Sequence, residues 1–202
     1  IIGRAGVGVD NIDVNAATER GIIVVNAPEG NTISACEHTF ALMLSLARNI
    51  PSANYSLKRG EWKRKEFTGV ELYGKTLGVI GLGRIGLAVS QRALSFGMEV
   101  IGYDPYIVGE RITEMGIKPV SLDELYSRSD FITVHTPLNA DTKDFINKDA
   151  FLKMKQGVRI INCARGGIIN ERDLIWAIEE GIVAGAGIDV FEKEPPPADS
   201  LI

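Results

Sequence analysis

The stretch TLGVIGLGRIG, residues 76–86, limits the possible folds of this chain more than any other. Five residues read as a buried strand. Three glycines follow at the spacing G-x-G-x-x-G, and a helical pattern starts at Arg84. In that context each glycine has a mechanical reason. Gly81 permits a tight turn, Gly83 lets backbone approach a pyrophosphate, and Gly86 lets the helix pack on the strand. The helix start would offer unpaired N–H groups and a partial positive charge to phosphates. The next strand ends in Tyr103-Asp104, about twenty residues on, where an acid that holds a ribose belongs. A carboxylate there accepts ribose hydroxyls and repels a 2′-phosphate, so NAD is favoured over NADP.

From Gly74 onward short apolar runs alternate with helical patterns. Strands are expected at Thr76–Ile80, Glu99–Tyr103, 118–120, 131–135, 159–162 and 184–188. Helices are expected at 84–96, 108–115, Leu122–Arg128, 148–153 and 171–180. Such alternation implies an α/β fold, a Rossmann-type doubly wound parallel sheet covered on both faces. Upstream, a helix is expected at 14–20, a strand at 22–26, an apolar helix at 34–48 that ends before Pro51, and a further helix at 54–62.

Composition narrows the function. The 202 residues carry a formal net charge of -4 and a pI near 5.3, which argues against a nucleic-acid surface. The longest clean apolar run, 40–47, is far short of a membrane span. Two cysteines, Cys36 and Cys163, make no disulfide framework and fit a reducing, cytoplasmic setting. No metal is expected.

In a parallel sheet of this kind ligands bind at the carboxyl ends of the strands. One strand ends His135-Thr136-Pro137. Thr136 has a hydroxyl suited to a ribose or amide. His135 has the residue type of a base but no carboxylate near it in sequence, which favours a supporting place at the cleft. Another strand ends NCARGG, residues 162–167. Arg165, a cation between a strand end and two glycines, suits a carboxylate or a polarised ketone. Cys163 has no base beside it in sequence and reads as a small residue lining the cofactor. The last strand runs into Asp189, then Glu194 and three prolines.

GRAGVGVDN, GLGRIG, YDP, HTP, NCARGG and DVFEKEPP stand here in the order and spacing of the D-2-hydroxyacid dehydrogenases, and the chain resembles that family from about Gly3 to its end. The resemblance implies two related α/β domains about a cleft. Residues 1–28 would belong to the N-terminal segment of the substrate domain and 29–202 to the NAD-binding domain. It implies that Gly81, Gly83, Arg84, Ile85 and Gly86 contact phosphates, that Asp104 holds the adenosine ribose, and that Thr136, Cys163, Ala164 and Asp189 line the nicotinamide. Val7 stands where some relatives carry threonine, so any contact it makes with cofactor is through backbone or apolar surface.

The same resemblance places the substrate against Arg4, Gly6, Val7, Asn31 and Arg165. The backbone amides of the Gly6–Gly8 turn would receive its carboxylate, and Arg4 a phosphate. Glu194 would pair with a catalytic histidine and raise its pKa. Neither His38, read as a surface or packing residue, nor His135 matches that histidine. It is expected beyond residue 202, in a chain that begins without methionine and reads as cut at both ends. The 202 residues alone are then expected to bind NAD with little or no catalysis.

The implied activity is hydride transfer between NAD and a small 2-hydroxy acid, 3-phosphoglycerate first and glyoxylate or hydroxypyruvate as alternatives. An NAD-responsive corepressor is a non-enzymatic alternative. A homodimer through the helices of 34–62 is expected, with no nucleic-acid or membrane partner.

Overall fold

Alternate residues of the strand Thr76–Ile80 feed different cores. Leu77 and Val79 pack with one buried cluster and Ile80 with another. That period of two identifies a sheet covered on both faces. The computed structural model describes residues 1–9, 11–107, 109–198 and 200, and has two sheets.

The smaller sheet pairs β1 (Ile2–Arg4) with β2 (Val24–Asn26) in parallel, joined by α1 (Val14–Glu19). The larger holds β3 (Thr76–Ile80), β4 (Glu99–Tyr103), β5 (Lys118–Pro119), β6 (Phe131–Val134), β7 (Val158–Asn162) and β8 (Val183–Ile188). Its six strands run in the order β5-β4-β3-β6-β7-β8, and every pairing is parallel. Strand order reverses between β3 and β6, so their carboxyl ends open a crevice.

One face is covered by α2 (Thr32–Ala47), α4 (Arg84–Ser95) and α5 (Gly109–Glu114), with Met43, Val89 and Ile112 packed on Leu77, Val79 and Ile161. Phe40 of α2 stacks on Phe96, ring centroids 5.2 Å apart. The other face is covered by α6 (Leu122–Arg128), α7 (Lys148–Leu152) and α8 (Glu171–Glu179), which bury Leu125, Phe151 and Leu174 against Ile132, Val134 and Ile160. Ser121, Asn147 and Asn170 cap these three helices, each accepting first-turn N–H groups through its side chain.

One expectation is corrected. The helix placed at 54–62 is α3 (Ile50–Lys58). Pro51 does not merely end the preceding helix; it lies in the first turn of the next, where its missing N–H costs nothing. Asn49, left-handed at φ 54°, makes the corner between them. The helix expected from 108 is described from Gly109; Val108 lies outside the described residues.

Candidate functional site

β3 ends at Ile80 and the chain turns at Gly81, where φ is +89°. A Cβ on Gly81 would lie 2.9 Å from the carbonyl group of His135, so the end of β6 passes directly over the turn. A Cβ on Gly86 would lie 2.0 Å from the Gly81 carbonyl oxygen. Only glycine lets α4 start this close to the strand. At Gly83 the opposite holds: a Cβ there meets nothing within 4 Å. Gly83 caps α4 without a side-chain hydrogen bond, so the first-turn N–H groups of a 12-residue helix remain available to an anion. Arg84 is exposed, its Nε 3.8 Å from Glu29 Oε1, while the side chain of Ile85 packs into the core beneath.

Asp104, at the end of β4, accepts the Leu82 N–H through Oδ2 and the Tyr106 N–H through Oδ1, both at 2.8 Å. The carboxylate thus ties the glycine turn to the neighbouring strand end, and each oxygen keeps a second lone pair for a ligand hydroxyl. A cleft of about 310 Å³ opens here between Gly83, Asp104, Tyr106, Thr136 and Asn139. The Thr136 hydroxyl is buried with no hydrogen-bond partner among the described residues. An unmet buried polar group costs about 1–3 kcal/mol, which a ligand atom at this point would relieve. The open glycine face, the uncapped helix start, the acid on the second strand and the orphaned hydroxyl together fit a dinucleotide.

His135, half-buried beside this cleft, pairs through Nε2 with Thr133 Oγ1 at 3.0 Å. Burial pushes its pKa down to about 4, so the ring is neutral near pH 7. That agrees with a supporting rather than proton-transferring residue.

The NCARGG loop is held by a residue whose role the sequence left unmarked. Asn162, buried at the end of β7, accepts the Ala164 N–H at 3.0 Å and donates to the Arg165 carbonyl at 2.9 Å. The Arg165 guanidinium donates to the Ala164 carbonyl at 2.7 Å. A Cβ on Gly166 would lie 1.8 Å from the Phe191 carbonyl oxygen, so the loop and the segment after β8 touch backbone to backbone. That contact brings Arg165 and Glu194 into one cleft of about 670 Å³ with Arg4, Gly6, Val7 and Asn31. The expected substrate residues and Glu194 come from four separate parts of the chain and line this single space.

Local bonds shape its walls. Arg4 folds over Gly6 and donates from Nε to the Gly8 carbonyl at 3.2 Å. The Val7 carbonyl accepts from Asn26 Nδ2 at 2.8 Å. Glu194 accepts the Phe191 N–H at 3.1 Å. Glu192 and Glu171 each accept the other's backbone N–H, anchoring the tail to the start of α8. Asp10, within the GRAGVGVDN turn, lies outside the described residues.

One grouping was not foreseen. His38, on α2, sits with Nε2 3.1 Å from Asp189 Oδ1, and both side chains are about half exposed. Cys163 joins them: its sulfur and the donor atoms of the other two lie within 4.8 Å of one another. His38 is a surface residue, as expected, and adds an ion pair with Asp189 that no sequence spacing marked; Cys163 does have a base beside it in space. Burial pushes the Cys163 thiol up to about 11, Thr39 pulling slightly the other way, so it is protonated near pH 7.

Residues 40–202 match the family model described as D-isomer specific 2-hydroxyacid dehydrogenase, NAD binding domain. A curated D-3-phosphoglycerate dehydrogenase from Bacillus subtilis is 56% identical over 202 residues, 100% of this chain; the chain spans 38% of that relative's length. The crystal structure of a glyoxylate reductase from Paecilomyes thermophila superposes with a TM-score of 0.91 at 38% identity, over 100% of this chain and 62% of the other. A D-lactate dehydrogenase from Aquifex aeolicus, complexed with NAD and lactic acid, gives 0.88 at 38% identity, over 95% of this chain and 58% of the other.

Proposed function

The chain belongs to the D-isomer specific 2-hydroxyacid dehydrogenases, residues 40–202 being their NAD-binding domain, and from that premise we propose that the protein oxidises D-3-phosphoglycerate to 3-phosphohydroxypyruvate, the first step of serine biosynthesis. The observation that carries this reading is the convergence of Arg4, Arg165 and the Gly6–Gly8 turn on one cleft. A phosphorylated hydroxy acid has two anionic ends, and this cleft has two guanidinium groups besides a row of backbone amides. The 56% identity to a D-3-phosphoglycerate dehydrogenase favours the same substrate.

In this reading Gly81, Gly83, Arg84, Ile85 and Gly86 would hold the phosphates of NAD, Asp104 the adenosine ribose, and Thr136, Cys163, Ala164 and Asp189 the nicotinamide side. NAD, when bound, would supply the hydride acceptor. Arg165 orients the substrate by its carboxylate and stabilises charge on the oxygen that becomes a carbonyl. Arg4 holds the phosphate, Asn31 borders the substrate, and Val7 contributes backbone and apolar contact. Glu194 keeps a histidine basic enough to accept the hydroxyl proton, and that histidine is neither His38 nor His135. The substrate domain takes in residues 1–28, which form the separate β1–β2 sheet.

The same proposal puts the protein in the cytoplasm as a homodimer. Both cysteines are free. Ile33, Ile50, Tyr55, Leu57 and Trp62 leave large apolar side chains exposed along and just beyond α2 and α3, as a partner surface would. Among the described residues no helix is long and apolar enough to cross a membrane.

A glyoxylate or hydroxypyruvate reductase is the second reading, favoured by the fold match at TM-score 0.91. Such substrates lack the phosphate and leave Arg4 without a role. Steady-state rates with NAD separate the two. Turnover of 3-phosphoglycerate, with KM raised about tenfold or more by Arg4→Met, supports the first. Reduction of hydroxypyruvate without any oxidation of 3-phosphoglycerate overturns it.

A further inference from the structure

We propose that His38, Cys163 and Asp189 form a binding site for a borderline-soft divalent cation of the Zn²⁺ class, at the place where the nicotinamide would lie, so that metal and NAD exclude one another. The exclusion rests on the dehydrogenase reading; the metal site does not.

The three side chains are distant in sequence and come from three elements: α2, the loop after β7 and the residue after β8. Each element is anchored by the same packed sheet, so the donors are brought together by the fold. Their ligand atoms lie within 4.8 Å of one another, and the imidazole nitrogen is already 3.1 Å from a carboxylate oxygen. Bonds of about 2.0–2.3 Å in a tetrahedron put neighbouring donors roughly 3.3–3.8 Å apart. The half-exposed His38 and Asp189 can close the remaining gap by rotating toward the sulfur, and solvent supplies the fourth ligand.

The donor set chooses the metal class. Sulfur with imidazole nitrogen suits Zn²⁺ or Co²⁺, whereas Mg²⁺ and Ca²⁺ call for oxygen alone. On binding, the Cys163 thiol gives its proton to solvent and becomes the thiolate ligand. The Sγ–H bond breaks, the sulfur–metal bond forms, and nothing is oxidised. The wall that would face the nicotinamide then carries an ion on two of its residues. One consequence is that micromolar Zn²⁺ raises the apparent KM for NAD while leaving kcat unchanged.

Co²⁺ titration of the intact protein tests this, read by thiolate-to-cobalt charge-transfer absorption. One equivalent is expected to give the band. Cys163→Ser, nearly isosteric, should abolish it, and His38→Gln should weaken binding about tenfold or more. Saturating NAD should remove the band. Absence of a band, or a band that survives Cys163→Ser, overturns the site. A band unchanged by NAD, when calorimetry shows NAD bound, overturns the exclusion. Failure of NAD to bind at all would instead sink the dehydrogenase reading, and the Cys163 dependence would still decide the metal site.

Discussion

In the smaller cleft the walls come from neighbouring strand ends of a single sheet: the Gly81–Gly86 turn after β3, Asp104 after β4 and Thr136 after β6. In the larger cleft the walls come from the turn after β1, the residue before α2, the loop after β7 and the tail after β8. The first is built by local geometry. The second exists only because distant segments pack backbone against backbone, as Gly166 does on Phe191. Substitutions should therefore act differently in the two clefts.

Gly166→Ala should have the largest effect. Its Cβ would lie 1.8 Å from the Phe191 carbonyl, so either the loop or the tail must move. Denaturant unfolding should show a loss of about 3 kcal/mol, and turnover should collapse with it as Arg165 and Glu194 separate. Gly83→Ala makes the contrast. It meets open space at φ -67°, so stability should change by less than about 0.5 kcal/mol while NAD binding weakens. Equal destabilisation by both would erase the distinction between the clefts.

His135 gives the next largest effect, through pH. Its folded-state pKa, about 4, lies below the ordinary 6.5, so the unfolded chain binds the proton more readily. Stability from this residue is full above about pH 6.5 and is lost as pH falls toward 4. Between pH 7 and 5 the loss should be about 2 kcal/mol, and His135→Asn should remove that part of the pH dependence. An unchanged acid limb in the variant would show that the ring is not held neutral.

Asp104→Ala should have the smallest of these effects, about tenfold weaker NAD binding and a narrower margin over NADP, read by calorimetry. Stability should also fall by about 1 kcal/mol, since the N–H of the buried Leu82 loses its acceptor. Undiminished discrimination would move the basis of cofactor choice away from this strand end.

The same contrast explains what was legible beforehand. The limits of β3, β4 and α6 agree with the sequence pattern because alternation and glycine punctuation are local signals. The glycine turn and Asp104 were readable for the same reason, since each has a mechanism at fixed spacing. Arg4, Asn31, Arg165 and Glu194 were readable as a group only through family resemblance, because no periodicity links residues 4, 31, 165 and 194. Asn162 was missed because an asparagine at a strand end has many uses. The His38–Cys163–Asp189 grouping was missed because its members are 125 and 26 residues apart, with no local ligand spacing. The register of α3 was missed because Pro51 ends one helix and begins the next equally well.

The most direct test is a diffraction structure of the protein with NAD bound. The pyrophosphate should rest on the N–H groups at the start of α4 and the adenosine ribose on Asp104. The Thr136 hydroxyl should gain a partner, and the nicotinamide should lie beside Cys163 and Asp189 with Arg165 facing its reactive carbon. A nicotinamide directed away from Arg165, or a dinucleotide bound outside the Gly81–Gly86 turn, would contradict the pairing of a cofactor cleft with a substrate cleft.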